Sequence, residues 1–170
     1  FAVMCPGATG WREHLKDTVE WLVNEAGATG AYLDQLSMGS ARLCFSEEHG
    51  HHPSEWIKGY QRLLKDILAS CPDVALFIEG CGDIYGSLVA GQLVSTFFYW
   101  YNGAFPELYK YTFPEQTLVD MVYPSKGQVM RPVHVSLIAK ELINKAFVVG
   151  SYLWIYDLED DNSFSGDPAL

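Results

Sequence analysis

The sequence predicts an α/β protein with a parallel sheet, because short apolar runs alternate with amphipathic segments of helical length. Apolar residues recur at intervals of three and four over residues 11–26 and again over residues 54–70, the spacing of a helix with one buried face. Hydrophobic runs at residues 31–34 and 74–78 follow these two segments. Parallel strands need a crossover of that length between them, so the alternation predicts βαβ units.

Two α/β architectures fit this alternation, the open doubly wound sheet and the closed barrel. A closed (β/α)8 barrel needs about 250 residues, whereas this chain has 170. Five or six strands are predicted, so we expect an incomplete barrel of the TIM type, holding roughly strands 3 to 8. Residues 1–156 would form the partial barrel and residues 157–170 an acidic C-terminal segment.

Shorter signals predict the remaining elements. A strand is expected at residues 1–5, ahead of the turn signal Pro6-Gly7, and Ser54 is expected to cap the second helix. Beyond residue 80 the predicted elements are strands at residues 93–100, 108–113 and 147–156 and a helix at residues 133–142.

The charge balance narrows the classes of partner. A net charge of −10 repels phosphate backbones and anionic lipid headgroups, so neither nucleic acid nor a membrane surface is expected as a partner. Residues 84–106 carry no charged side chain, but glycines and polar residues interrupt the stretch, and a membrane span is not predicted there. Oligomeric state and compartment stay open.

Two acidic residues stand at the ends of predicted strands. Asp34 is the last residue of the run at residues 31–34, and Glu79 directly follows the run at residues 74–78. A buried charge at such a position is costly unless it faces a polar cleft at the active edge of the sheet. Adjacent strands lie roughly 5 Å apart, which would place the two carboxyl groups in the range used for glycosidic cleavage. The alternative is that each carboxylate caps a helix or pairs with a buried base.

A family resemblance follows from these residues. The run Gly30-Ala31-Tyr32-Leu33-Asp34-Gln35, then Leu43-Cys44 and His49-Gly50-His51, then a strand ending in Glu79-Gly80 resembles an uncharacterised family of glycosidase-like barrel proteins. It is also similar to the retaining α-glycosidase barrels, which include the α-amylase clan and the endo-α-N-acetylgalactosaminidases. The resemblance covers roughly residues 1–115.

The resemblance implies a carbohydrate-active hydrolase with an oligosaccharide or glycoconjugate substrate and no cofactor. In the similar enzymes, an Asp at the end of the fourth strand is the nucleophile and a Glu at the end of the fifth is the general acid/base. Asp34 and Glu79 would take these roles in a retaining double displacement. A melibiase-like arrangement would instead draw the acid from a later strand, with Glu107 or Glu115 as candidates. A barrel fragment that binds carbohydrate without cleaving it is the second hypothesis.

Further side chains are candidates for substrate contact. They are polar or aromatic residues near predicted strand ends or in the loop after the first strand, namely Gln35, His49, His51, Tyr99, Trp100 and Lys110.

The loop at residues 44–52 holds one thiol and three imidazoles, a composition that invites a zinc interpretation. Because no second pair at metal spacing accompanies it, we expect no metal there and assign the loop to substrate contact or packing. A metal-dependent hydrolase built on His49, His51 and His52 is a third hypothesis.

Overall fold

The computed structural model describes residues 3–37, 40–93, 106–122 and 143–155. The helices are α1 (Thr9–Asn24), α2 (Trp56–Ser70), α3 (Asp83–Gly86) and α4 (Pro106–Thr112), and residues 143–149 are also helical. The strands are β1 (Gly30–Leu33), β2 (Ala75–Glu79), β3 (Gly91–Leu93), β4 (Leu118–Val122) and β5 (Tyr152–Ile155). They form a parallel five-stranded sheet in chain order. The predicted α/β class is confirmed.

The chain divides into two compact units, Phe1–Gly91 and Gln92–Leu170. In the first unit β1 and β2 are parallel, with a register that runs from Gly30 opposite Ala75 to Leu33 opposite Ile78. Side chains alternate between the faces of a strand. The side chains of Leu33 and Ile78 therefore extend from one face of the strand pair toward the helices. The residues that alternate with them along each strand extend from the opposite face.

Helices α1 and α2 cover the first face and build the core with it. Leu63, Leu64 and Ile67 of α2 are fully buried, because their spacing of three and four places them on one side of the helix. They belong to one hydrophobic cluster with Leu76 and Ile78 of β2. Burial of this cluster holds the two strands against the helices. The packing therefore sets the positions of the strand ends.

In the second unit β3 and β4 are parallel, and β4 is parallel to β5. The buried side chain of Gln92 donates from Nε2 to Tyr109 Oη at 2.9 Å and to Gln116 Oε1 at 3.1 Å. These bonds satisfy an amide that burial would otherwise leave unpaired. They connect β3 to α4 and to the segment that leads into β4.

Four of the predicted elements agree closely with the structure. The helices predicted at residues 11–26 and 54–70 are α1 and α2, and the strands at 31–34 and 74–78 are β1 and β2, with ends that differ by at most two residues. The predicted cap is wrong, because α2 begins at Trp56 with Glu55 at the N-cap position and no side-chain cap.

Other predicted elements are wrong or lie outside the described residues. The chain is irregular over residues 3–5, where a strand was expected, and residues 108–113 fall in α4 and the turn after it. In the described part of residues 147–156, Tyr152–Ile155 is a strand and residues 147–149 are helical, and β4 was not predicted. Of the strand predicted at residues 93–100, Leu93 is the last residue of β3, and the rest lies outside the described residues, as do the predicted helix at 133–142 and the acidic segment at 157–170.

The helix α4 shows why aromatic content misled the prediction. Leu108, Tyr109 and Tyr111 favour a strand by composition, yet Pro106 followed by Glu107 is a helix start signal. Tyr109 and Phe113 stack one helical turn apart, with ring centroids separated by 5.0 Å.

Among the residues that the structure describes, no helix has both the length and the apolar character that crossing a bilayer requires.

Candidate functional site

The carboxyl groups of Asp34 and Glu79 meet at the carboxyl ends of β1 and β2. Because Leu33 is opposite Ile78 in the parallel register, the next residue along each strand brings Asp34 beside Glu79. The alternation of side chains places both on the sheet face turned away from α1 and α2. Asp34 lies close enough to Glu79 to raise the pKa of its carboxyl group.

Glu79 is the more buried member of the pair, since its side chain is half-buried while Asp34 is exposed. Burial raises the pKa of Glu79, and the carboxyl group of Asp34 raises it further. The backbone amide of Gln35 donates to Glu79 Oε2 at 3.0 Å and lowers that pKa, though the net direction is upward. A carboxyl of this kind retains a proton to higher pH than an ordinary Glu.

The backbone that follows β1 is shaped around Glu79. Gln35 has a φ of 61°, a left-handed conformation that points its amide toward the carboxyl group. Two residues later the amide of Ser37 donates to the backbone oxygen of Glu79 at 3.0 Å. The loop after β1 is thus bonded to both the side chain and the main chain of the last residue of β2.

A cavity of about 440 Å³ lies on the α1 side of β1, and its lining includes Leu15, Val19 and Leu22 of α1. Asp34 lies at its wall together with the aromatic residues Trp11, Tyr32 and Tyr60. Aromatic faces pack against the apolar faces of sugar rings as readily as against other hydrophobic groups. Glu79 is not among the lining residues, so this cavity does not enclose the carboxyl pair.

The other predicted contact residues have different surroundings. Lys110 lies in α4, and its ammonium donates to the carbonyl oxygens of Pro114 and Gln116 at 2.8 and 2.6 Å. The predicted position of Lys110 near a strand end is wrong. Its ammonium group instead stabilises the turn between α4 and β4. Tyr99 and Trp100 lie outside the described residues. Glu107 is in the first turn of α4 and Glu115 in the turn after it.

His49 and His51 lie in a compact cluster with two thiols. Cys5 Sγ is 3.1 Å from His51 Nε2, and Cys44 Sγ is 3.2 Å from His49 Nδ1. All four side chains are half-buried, and their potential ligand atoms lie within 4.8 Å of one another.

The predicted histidine trio does not form. His52 turns away from the cluster, and its Nδ1 lies 2.9 Å from Ser54 Oγ. Cys5 completes the cluster instead, and sequence reasoning missed it because this thiol precedes Cys44 by a helix and a strand. A Cys followed at once by Pro6-Gly7 near the start of the chain was the available signal.

The fold and the carboxylate pair define an α/β protein with titratable groups at the carboxyl ends of parallel strands, the usual place for a site in such sheets. The chain belongs to the family described as "Domain of unknown function (DUF6259)", which matches residues 1–115. It is similar to a protein of Bacteroides thetaiotaomicron named "Putative glycoside hydrolase", with 31% identity over 68 residues. That match covers 38% of this chain and 10% of the relative.

Proposed function

We propose that this chain carries the catalytic centre of a glycoside hydrolase, with Asp34 as nucleophile and Glu79 as general acid/base. The observation that carries the proposal is the pair of carboxyl groups at adjacent strand ends, in which burial raises the pKa of one member. Two carboxyl groups whose surroundings differ in this way are suited to separate acid and nucleophile roles. The name of the Bacteroides relative supports a carbohydrate substrate.

The unequal burial of the pair supports these two roles. Protonated Glu79 would donate its proton to the glycosidic oxygen as the bond to the anomeric carbon breaks. The exposed carboxylate of Asp34 would attack the anomeric carbon and form a glycosyl ester. Glu79, now ionised, would then take a proton from water as the water oxygen displaces Asp34 and releases the sugar.

The placement of the two carboxyl groups at the ends of adjacent strands favours retention over inversion. Retaining pairs lie about 5–5.5 Å apart and inverting pairs about 6.5–9.5 Å, because inversion must accommodate a water molecule. Adjacent strands lie roughly 5 Å apart, and Asp34 and Glu79 directly follow the paired residues Leu33 and Ile78, which supports the retaining spacing. The Gln35 amide would hold Glu79 in place.

The parallel sheet is compatible with part of a (β/α)8 barrel, and we propose that architecture for the complete catalytic domain. The sheet face that carries Asp34 and Glu79 is the one not covered by α1 and α2, as the inner face of a barrel would be. The chain spans about one tenth of the length of its Bacteroides relative. Other strands of such a domain would supply further substrate contacts.

Substitution of each carboxylate tests the proposal in the full-length protein. Asp34→Asn and Glu79→Gln preserve shape, and each should lower turnover of an oligosaccharide substrate at least about a hundredfold. Aryl glycosides with a strongly acidic leaving group need no acid, so Glu79→Gln should retain much of its cleavage-step rate on them. Asp73→Asn, which changes a carboxylate outside the pair, is the control. Equal turnover by Asp34→Asn and the parent would overturn the assignment.

Calorimetric titration with oligosaccharides separates catalysis from binding alone. A protein that binds sugars with the same affinity in the parent and in both carboxylate variants, and that cleaves none of them, would be a carbohydrate-binding domain. Retention is tested by proton NMR of the first-formed anomer. An initial product with inverted configuration would remove the double-displacement mechanism but not the carboxylate roles in hydrolysis.

A further inference from the structure

We propose that Cys5, Cys44, His49 and His51 bind a zinc ion that holds the segment before α1 to the loop after β1. Two thiolates and two imidazoles form one of the common ligand sets of structural zinc sites. The four donor atoms come from two segments that α1 and β1 separate in the sequence. This inference does not depend on the glycosidase assignment.

The spacing of the donor atoms suits a tetrahedral ion. Zinc bonds of about 2.3 Å to sulfur and 2.0–2.1 Å to nitrogen place the ligand atoms of one ion about 3.3–3.8 Å apart. In the cluster two sulfur–nitrogen pairs are at 3.1 and 3.2 Å, and every pair is within 4.8 Å. Small side-chain rotations would therefore bring all four atoms to bonding distance.

The histidine on the Cys5 side is held in the orientation that a ligand needs. His51 Nδ1 lies 2.8 Å from the carbonyl oxygen of His52. A carbonyl only accepts hydrogen bonds, so Nδ1 carries the proton and Nε2 presents its lone pair to the cluster. A second ring nitrogen bonded to a backbone carbonyl is the usual support of a metal-binding histidine.

The turn after Cys5 leaves space for the cluster. A Cβ added to Gly7 would lie 2.5 Å from His51 Nε2, so the absence of a side chain at this position makes room for the imidazole. Arg12 fixes the same turn by donating to the carbonyl oxygens of Pro6 and Gly7 at 3.2 and 2.6 Å.

The donor set indicates a structural role. Four protein ligands fill a tetrahedral zinc ion and leave no position for water or substrate, in contrast to catalytic zinc sites. Soft thiolate ligands select zinc over magnesium or calcium. The bound ion would fix the loop that leaves β1 just beyond Asp34 and enters α2, and it would do so without taking part in the chemistry of the carboxylates.

The first test is the metal content and cobalt spectrum of the full chain, purified with a reductant. About one zinc ion per chain is expected. Replacement by Co²⁺ should give the intense visible bands of a tetrahedral site and a near-ultraviolet band from sulfur-to-cobalt charge transfer. Both measurements use only the unsubstituted chain, so the test does not depend on whether a variant folds. Absence of stoichiometric zinc together with an octahedral cobalt spectrum would overturn the proposal.

Matched substitutions identify the ligands. Cys5→Ser and His51→Asn should each weaken zinc binding at least about tenfold and remove or shift the cobalt bands. Cys81→Ser and His52→Asn change a thiol and an imidazole outside the cluster and should bind zinc like the parent. A chelator should lower the melting temperature of the parent but not of Cys5→Ser. Parent-like zinc binding by Cys5→Ser, or a Cys5–Cys44 disulfide whose reduced form takes up no zinc, would refute the site.

Discussion

Asp34 and Glu79 lie side by side at the ends of two neighbouring parallel strands, where each follows a residue of the pair Leu33 and Ile78. Because the pKa of Glu79 is raised in the folded protein, the native state holds a proton there that the unfolded chain releases at lower pH. The contribution of this group to stability is therefore fully present below the ordinary Glu pKa of 4.5 and is lost as the pH rises through the raised value.

Glu79→Gln should remove this pH dependence, because the amide mimics the protonated acid and cannot ionise. Its free energy of unfolding relative to the parent should increase as the pH is raised from below 4.5 toward neutral. Urea titrations of both proteins across this range measure the difference. Glu13→Gln, a substitution of an exposed carboxylate on α1, is the control. A difference that stays constant with pH would contradict the raised pKa.

The rate of glycoside cleavage should depend on the same proton. If Glu79 is the general acid, kcat/KM for an unactivated glycoside falls on the alkaline side as Glu79 ionises. Asp34→Glu, if it retains activity, should shift this alkaline limb, since it moves the neighbouring charge. Glu79→Gln, assayed with an activated aryl glycoside, should lack the limb. A limb that persists unchanged in Glu79→Gln would assign the acid to another residue.

The left-handed backbone at Gln35 gives a prediction that separates main-chain and side-chain roles. Gln35→Gly keeps the amide that bonds to Glu79 and suits the φ of 61°, so it should raise stability by up to about 1 kcal/mol. Gln35→Val places a β-branched residue in that conformation and should lower stability by about 1–3 kcal/mol. Thermal unfolding of the pair measures both effects.

The same two variants report on the predicted substrate contact. If the Gln35 side chain touches the sugar, Gln35→Gly raises KM although the fold is intact. If only its amide matters, Gln35→Gly keeps the kinetic constants of the parent. Equal stability of the glycine and valine variants would show that the backbone at this position is not left-handed.

Gly59 is the point where α2 contacts the turn that follows Cys5. A Cβ at this position would lie 2.5 Å from the backbone carbonyl of Pro6, so Gly59→Ala should force the turn away and lower stability by about 1–3 kcal/mol. Gly10→Ala in the first turn of α1 is the control, since nothing lies within 4 Å of its Cβ. It should raise stability by up to about 1 kcal/mol.

Gly59→Ala also links the helix packing to the zinc proposal. A displaced Pro6 carries Cys5 with it, so zinc affinity should fall in Gly59→Ala and stay unchanged in Gly10→Ala. Calorimetric unfolding and competition with a zinc indicator measure the two effects separately. A Gly59→Ala variant as stable as Gly10→Ala would show that α2 and the turn are not in close contact.

The two amphipathic helices and the strands before Asp34 and Glu79 could be predicted because each is specified locally. Apolar residues at intervals of three and four bury one helical face, and short apolar runs bounded by glycine and acidic residues form strands. Residues 108–113 could not be assigned in this way. Their aromatic residues suit either structure, and the helix forms where Tyr109 meets both Phe113 and the buried amide of Gln92.

The sequence by itself determined the α/β class and the positions of Asp34 and Glu79 at strand ends, since side-chain period and strand length are properties of adjacent residues. Tertiary structure decided that these carboxyl groups lie side by side, because this depends on the register between two strands. It also brought Cys5 to Cys44, His49 and His51. Contacts between distant segments follow from how helices pack on strands, and no local pattern in the sequence encodes that packing.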